Sequence, residues 1–308
     1  MPEEAIGVDV GGTKTLAVRI RPDGTIMQRI RVLTPRTGPA DLLTLLTSLT
    51  DRLRTPRTQA VGVALPGLVE TATGTLRHAP GFPCDNLPVR TLLEDAVGLP
   101  VHVDNDARAA TWAEYRTGAG RGHRDILMIT AGTGWGCGAV IDGHLLRGSQ
   151  GFAGEVGHVH VATEGPTCYC GRQGCAEVSA SGNAITHHGK TVGYPDGEAV
   201  TRAARDGDLR ALAVLHTVGT ALGHGAAALV DLLDPAIVIV GGGAAHADGL
   251  LLAPARTAMH TALTASRRRP GIPPLVTAHL GNDAGAAGIA LLALDPPAQR
   301  RQNESHDA

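Results

Sequence analysis

The sequence predicts an α/β protein with mixed sheets, and three observations predict it. Short apolar runs alternate with stretches of helical spacing along the chain, the pattern of layered strands and helices. An apolar strand, a Gly/Thr turn and a returning strand occur twice, at AIGVDVGGTKTLAVRI and DILMITAGTGWGCGAVID, so antiparallel hairpins enter what would otherwise be a parallel pattern. The length, 308 residues, suits two domains or one large one.

Taken in order, AIGVDV is a buried strand that runs into GGTKT, and LAVRI returns beside it. VLTPRTGPA is a loop. DLLTLLTSLTDRL has helical spacing, with Asp41 as its N-cap. QAVGVALPG is a strand that ends in a Pro-Gly turn. VHVDNDARAATWAEYR is a strand that passes through three polar residues into a helix. GHVHV has the alternation of a strand. AVLHTVGTALGHGAAALVDLLDP is a long helix with small residues on its packing face. AIVIVGGG is a strand entering a glycine loop, and LGNDAGAAGIALLAL ends in a helix. From Asp295 the tail is polar and expected to be disordered.

Composition limits the function. Hydrophobic residues make up 43% of the chain, enough for a substantial core, and the formal net charge of -2 offers nothing global to nucleic acid or an anionic membrane. The basic run SRRRP at 266–270 lacks interleaved aromatics and reads as a solvated turn. MPEEA lacks the basic and apolar regions of a signal peptide, and the apolar segments are too short or too broken to span a bilayer. Five cysteines, an odd number without an export signal, point to a reducing cytoplasm.

Chemistry is concentrated in three kinds of motif. DVGGTKT puts Asp9 at a strand end before Gly11, Gly12, Thr13 and Lys14. Successive backbone N–H groups in such a turn can hold phosphate, and Asp9 would face an accompanying Mg²⁺. An ordinary type I′ hairpin is the alternative. TAGTGWGCG, with Thr130, Gly132, Thr133 and Gly134, is a second such loop. Gly242 and Gly243 in a third run leave room for a flat base or ribose. The triplet Asp104-Asn105-Asp106 stands at a strand-to-helix corner. Capping accounts for one of the three, and a carboxylate there can accept the proton of an attacking hydroxyl. Finally, Cys168, Cys170 and Cys175 gather three thiols beside His158 and His160, which would share one side of a strand. Cys₃His is a closed, structural zinc site, and either histidine could complete it. Cys84 and Cys137 stand alone as buried small residues. His187 and His188 have no evident partners.

In that order, DVGGTKT, DNDARAA, TAGTGWGCG, GEVGHVHV, CYCGRQGCAE, IVIVGGG and LGNDAG resemble the ROK family of bacterial sugar kinases, from about residue 5 to residue 293. The resemblance implies an actin-like, hexokinase-type ATPase fold whose two α/β domains close over ATP and a sugar. The domains expected are 1–115, with a helix at 284–294 packing back on it, and 116–283, which carries the zinc loop; 295–308 is the tail. By resemblance Asp106 is the general base, and Asn105, Gly67, Glu155, His158 and Glu177 meet the sugar. It selects His158 as the fourth zinc ligand, with its second nitrogen left for a sugar hydroxyl. The phosphates would lie at the DVGGTKT and TAGTGWG loops, and the 241–243 loop would flank the adenosine.

The expected reaction is ATP-dependent phosphorylation of a hexose 6-hydroxyl, with glucose favoured. N-acetylglucosamine, N-acetylmannosamine and fructose are the rival acceptors. ROK relatives also include sugar-responsive repressors, but the first strand here begins about four residues in and leaves no room for a helix-turn-helix domain; a non-catalytic sugar sensor is the rival of a different class. One departure stands out: many relatives carry an Asn-Leu-x-Gly-Trp-like segment near the sugar, whereas HAPGFPCDNLPV has no asparagine before its Pro-Gly. Partners are expected to be the hexose, ATP and a second copy in a homodimer or dimer-based oligomer, in the cytoplasm, with neither nucleic acid nor membrane.

Overall fold

A computed structural model describes residues 3–79, 82–161, 165–247, 249–265 and 270–295. The chain divides into two compact units. Unit 1 takes the residues up to Trp112, Arg147–Phe152, and those from Gly285 onward; unit 2 takes Ala113–Leu146 and Ala153–Ala284.

Unit 1 opens with β1 (Glu4–Val10), β2 (Lys14–Ile20) and β3 (Ile26–Leu33), followed by α1 (Pro39–Leu53) and β4 (Thr58–Leu65). A small hairpin of β5 (Leu68–Glu70) and β6 (Thr75–His78) leads to α2 (Val89–Val97), β7 (Val101–Asn105) and α3 (Asp106–Thr117). The sheet order is β3-β2-β1-β4-β7: β1 is antiparallel to β2 and parallel to β4, which is parallel to β7. This is a mixed sheet, as the hairpin pattern predicts. β5, β6 and α2 go unread in the sequence, and two further elements differ from its reading. β3 has an exposed-intermediate alternation with little apolar signal, so its existence depends on pairing with β2. And α1 starts two residues before Asp41: Gly38 is its N-cap, Pro39 fixes the first turn, and Asp41 sits in that turn, where it complements the helix dipole.

Unit 2 repeats the scheme. β8 (Ile126–Ala131), β9 (Trp135–Ile141) and β10 (His144–Leu145) precede the helices α4 (Glu177–Ala180), α5 (Gly182–Thr191), α6 (Gly197–Arg205) and α7 (Leu209–Leu233). β11 (Ile237–Gly241), α8 (Gly249–Ala265) and β12 (Leu275–Thr277) complete it, in the sheet order β10-β9-β8-β11-β12. α7 corrects the membrane reading, because by length and composition it could cross a bilayer. More than half of its most apolar stretch is nevertheless buried, and it packs on α8 with Gly219 and Gly223 against the backbone carbonyls of Leu251 and Ala255. Asp208 caps it, its carboxylate accepting from the N–H groups of Arg210 and Ala211.

The last described helix, α9 (Ala284–Leu294), belongs to unit 1 for nearly its whole length. Gly7 on β1 and Gly62 on β4 are register partners, and a Cβ on either would collide with the carbonyl of Ala286 or Ile289. The helix backbone thus lies directly on the strands. The tail after Asp295, most of the SRRRP run and part of HAPGFPCDNLPV fall outside the described residues.

Candidate active site and metal centre

The DVGGTKT loop of unit 1 is built by turning its carbonyls to one side. Gly11 O accepts from Thr34 Oγ1 at 2.7 Å, Gly12 O from Arg36 Nε at 3.0 Å, and Thr13 O from the Thr34 N–H at 3.0 Å. Neither Gly11 nor Gly12 has a positive φ, which excludes the type I′ turn. Asp9 lies against Gly285 in the first turn of α9, where a Cβ would strike its carboxylate. Burial, and then the charge of Asp106, push the Asp9 carboxyl up to about 7. A cation placed there would relieve both effects, so the residue fits a Mg²⁺ partner.

The acidic corner joins β7 to α3, and its three residues take three different parts. Asn105 is the cap: its Oδ1 accepts from the N–H groups of Ala107 and Arg108, at 2.9 and 3.2 Å, while its Nδ2 donates to Gly67 O at 3.2 Å. That tie fixes the Pro-Gly turn, which needs the left-handed φ of 87° at Gly67. Asp106 begins α3, and its carboxylate accepts from the Ala107 N–H.

Asp104 is fully buried. It accepts from Arg108 Nε at 2.7 Å, from Arg147 Nε at 2.9 Å and from the Asn105 N–H at 2.8 Å, and His102 lies 3.8 Å away. Burial alone would raise its pKa, but Arg108, His102 and Arg147 outweigh that and hold the carboxyl well below the usual range. Sequence reading gave Asp104 no role of its own. The i, i+4 spacing to Arg108 was a visible signal; the approach of Arg147 was not.

In unit 2 the glycine runs converge. Gly132 O and Thr133 O accept from the Gly182 and Asn183 N–H groups at the start of α5, while Gly134 O accepts from the Gly132 N–H inside the loop. Gly242, with a φ of 86°, lies so close to Ala131 and Gly132 that a Cβ would not fit. Thr130 pairs with Gly136 on β9 and with Gly241 on β11. Lys14 in unit 1 and Thr133 here are exposed, and Gly243 opens a 3₁₀ turn. Glu177, buried at the start of α4, accepts from the Trp135 N–H at 3.0 Å, and its other oxygen meets Cys168 Sγ at 3.7 Å. It therefore ties the glycine loop to the cysteine loop.

That cysteine loop brings His158, Cys168, Cys170 and Cys175 together, with one ligand atom from each within 4.8 Å of all the others. His158 Nδ1 is 3.6 Å from Cys168 Sγ, and Cys170 Sγ is 3.6 Å from Cys175 Sγ. A tetrahedron with Zn–S bonds of about 2.3 Å has edges of about 3.8 Å, so the four groups fit zinc. Burial pushes the Cys168 thiol up to about 12, whereas hydrogen bonds from the backbone and side chain of Arg172 bring Cys170 down to about 6. The His-x-His strand is not formed. Residues 156–158 make a 3₁₀ turn that follows Glu155, and His160 is exposed, with its backbone bridging to Cys175. The choice between the histidines is thus made by the turn. The second nitrogen of His158 is also engaged, at 2.7 Å from the Tyr169 hydroxyl, a contact that the sequence did not suggest. Cys84 and Cys137 are buried and outside this cluster, and His187 and His188 meet edge to face.

A solved ROK family glucokinase from Streptomyces griseus, in complex with glucose and AMPPNP, matches this chain with a TM-score of 0.87 and 36% identity, covering 94% of this chain and 99% of that one. The glucokinase of Streptomyces coelicolor is 37% identical over 311 residues, covering 94% of this chain and 98% of the relative. An N-acetylmannosamine kinase of Citrobacter koseri is 34% identical over 306 residues, covering 94% and 98%. Likeness over nearly the whole of both chains makes this protein a sugar kinase of the actin-like, hexokinase-type ATPase fold. The pattern of the ROK family matches residues 5–296, and the chain belongs to the ROK family.

Proposed function

We propose that this kinase transfers the γ-phosphoryl group of ATP to the 6-hydroxyl of glucose, with Asp106 as the general base. The similarity to glucokinases over almost the full chain carries this reading, and the glucose and AMPPNP complex of a relative supports both substrates. A sugar hydroxyl is a weak nucleophile, and a carboxylate at its oxygen takes the proton as attack proceeds. Asp106 is suited to this work: it sits on the first residue of a helix, beside an asparagine that the cap and Gly67 hold rigid.

Asn105, Gly67, Glu155, His158 and Glu177 are the sugar contacts in this reading. Glycines 11, 12, 132 and 134, with Thr13, Lys14, Thr130 and Thr133, surround the phosphates. Gly242 and Gly243 flank the adenosine. Asp9 partners Mg²⁺, whose charge offsets that of the phosphates. Zinc, held by His158, Cys168, Cys170 and Cys175, supplies no chemistry to the transfer; it locks a short loop that carries sugar contacts. The protein works in the cytoplasm as a homodimer, where its product enters glycolysis.

Turnover in a coupled assay on glucose, mannose, fructose, N-acetylglucosamine and N-acetylmannosamine tests the reading. Glucose should give the highest kcat/KM. Preference for an N-acetylated hexosamine would assign the chain to the activity of its N-acetylmannosamine kinase relatives, and no turnover on any hexose would leave a sugar sensor.

A further inference from the structure

Tyr169 sits between two of the metal-binding cysteines. Its hydroxyl is 2.7 Å from His158 Nε2, and the two rings meet edge to face, with centroids 4.9 Å apart at 83°. His158 turns Nδ1 toward the thiol cluster, at 3.6 Å from Cys168 Sγ. When Nδ1 lends its lone pair to a metal, Nε2 carries the proton and is a donor. The group bound to Nε2 therefore accepts, and in this structure that group is the phenol oxygen.

A phenol and a sugar hydroxyl offer the same acceptor chemistry. We propose that Tyr169 is a stand-in for a hexose hydroxyl on His158, displaced when sugar binds, and so a determinant of sugar affinity. This rests on the reading of His158 as a sugar contact. Tyr169 is 59% exposed, so its ring can swing into water without opening the core. Until sugar arrives, the phenol oxygen occupies the Nε2 donor. The incoming hydroxyl must accept from Nε2 and must replace a hydrogen bond, not occupy a bare donor. Binding therefore gains only the difference between two similar bonds at this atom.

The test is Tyr169→Phe in the zinc-loaded full chain, which keeps the ring and removes the competing oxygen. The glucose KM should fall by ~2- to 10-fold, the range set by one neutral hydrogen bond. kcat should stay within about twofold, and the rate of zinc loss to a chelating dye should not change. A KM that holds or rises overturns the proposal. So does zinc lost about tenfold faster, which would make the hydroxyl an orienter of the metal ligand. A set of monodeoxyglucoses separates this failure from that of the underlying reading. The sugar lacking the hydroxyl that meets His158 should gain nothing from Tyr169→Phe, while the others gain. If all gain equally, His158 is not a sugar contact; if none gains, only the role of Tyr169 fails.

Discussion

Asp104, Asn105 and Asp106 are consecutive acids and amide in the sequence, and the fold gives them unrelated work. Asp106→Asn should lower kcat by ~10²- to 10⁴-fold, the usual contribution of a positioned base, while glucose affinity by calorimetry stays within a few-fold. Near-normal turnover would remove Asp106 from the mechanism. Asp104→Ala should instead act on stability. It removes a carboxylate partner of the buried Arg108 and one partner of Arg147, so urea unfolding should show a loss of ~3–5 kcal/mol. The dependence on pH follows from the direction of its shift. The folded carboxyl titrates below the unfolded one, so its stabilisation is complete above about pH 4, the unfolded value, and declines as pH falls below that. The gap between wild type and Asp104→Asn should be constant from about pH 5 to 8 and should narrow at pH 3. A gap that widens in acid would contradict the pairing.

At the level of elements, the two glycine loops share one construction: their carbonyls are tied back, in unit 1 by residues 34–36 and in unit 2 by the start of α5. α9 touches the first loop's aspartate through Gly285. Gly285→Ala should displace Asp9, cost ~1–3 kcal/mol as an overpacked contact, and raise the KM for Mg-ATP more than that for glucose. An equal rise in both would mean that the helix end serves only packing. α7 offers a simpler check: loss of the Asp208 cap in Asp208→Ala should cost ~1 kcal/mol in a urea melt with turnover unchanged. The strands and helices that carry the motifs were legible, but the β5–β6 hairpin, α2 and α4–α6 were not read, and element starts were less legible still. Asp41 looked like a cap because caps and first-turn acids are the same residue types, and Pro39 decided the matter. β3 was not legible because its residues alternate only weakly in burial; its partner strand defines it.

For the whole molecule, the metal centre and the glycine loop of unit 2 are joined through Glu177, which meets both Cys168 and the Trp135 N–H. Removing zinc with a chelator should lower the melting temperature and weaken glucose binding in parallel, and adding zinc back should restore both. A stripped protein with unchanged sugar affinity would separate the metal from the substrate. A parallel loss would be carried by the buried Glu177 carboxylate, which touches both loops.

The sequence by itself determined the α/β class, the mixed sheets, the order of the ROK motifs and the set of three thiols with a neighbouring histidine. These follow from local pattern: apolar period, turn chemistry and ligand spacing are all written within a few residues of one another. Only the tertiary structure decided that a 3₁₀ turn carries His158 to the thiols, what holds its other nitrogen, and that Asp104 is neutralised by an arginine 43 positions away. Such contacts depend on where a 3₁₀ turn replaces a strand and on which distant segments pack together, and no window along the chain contains both partners.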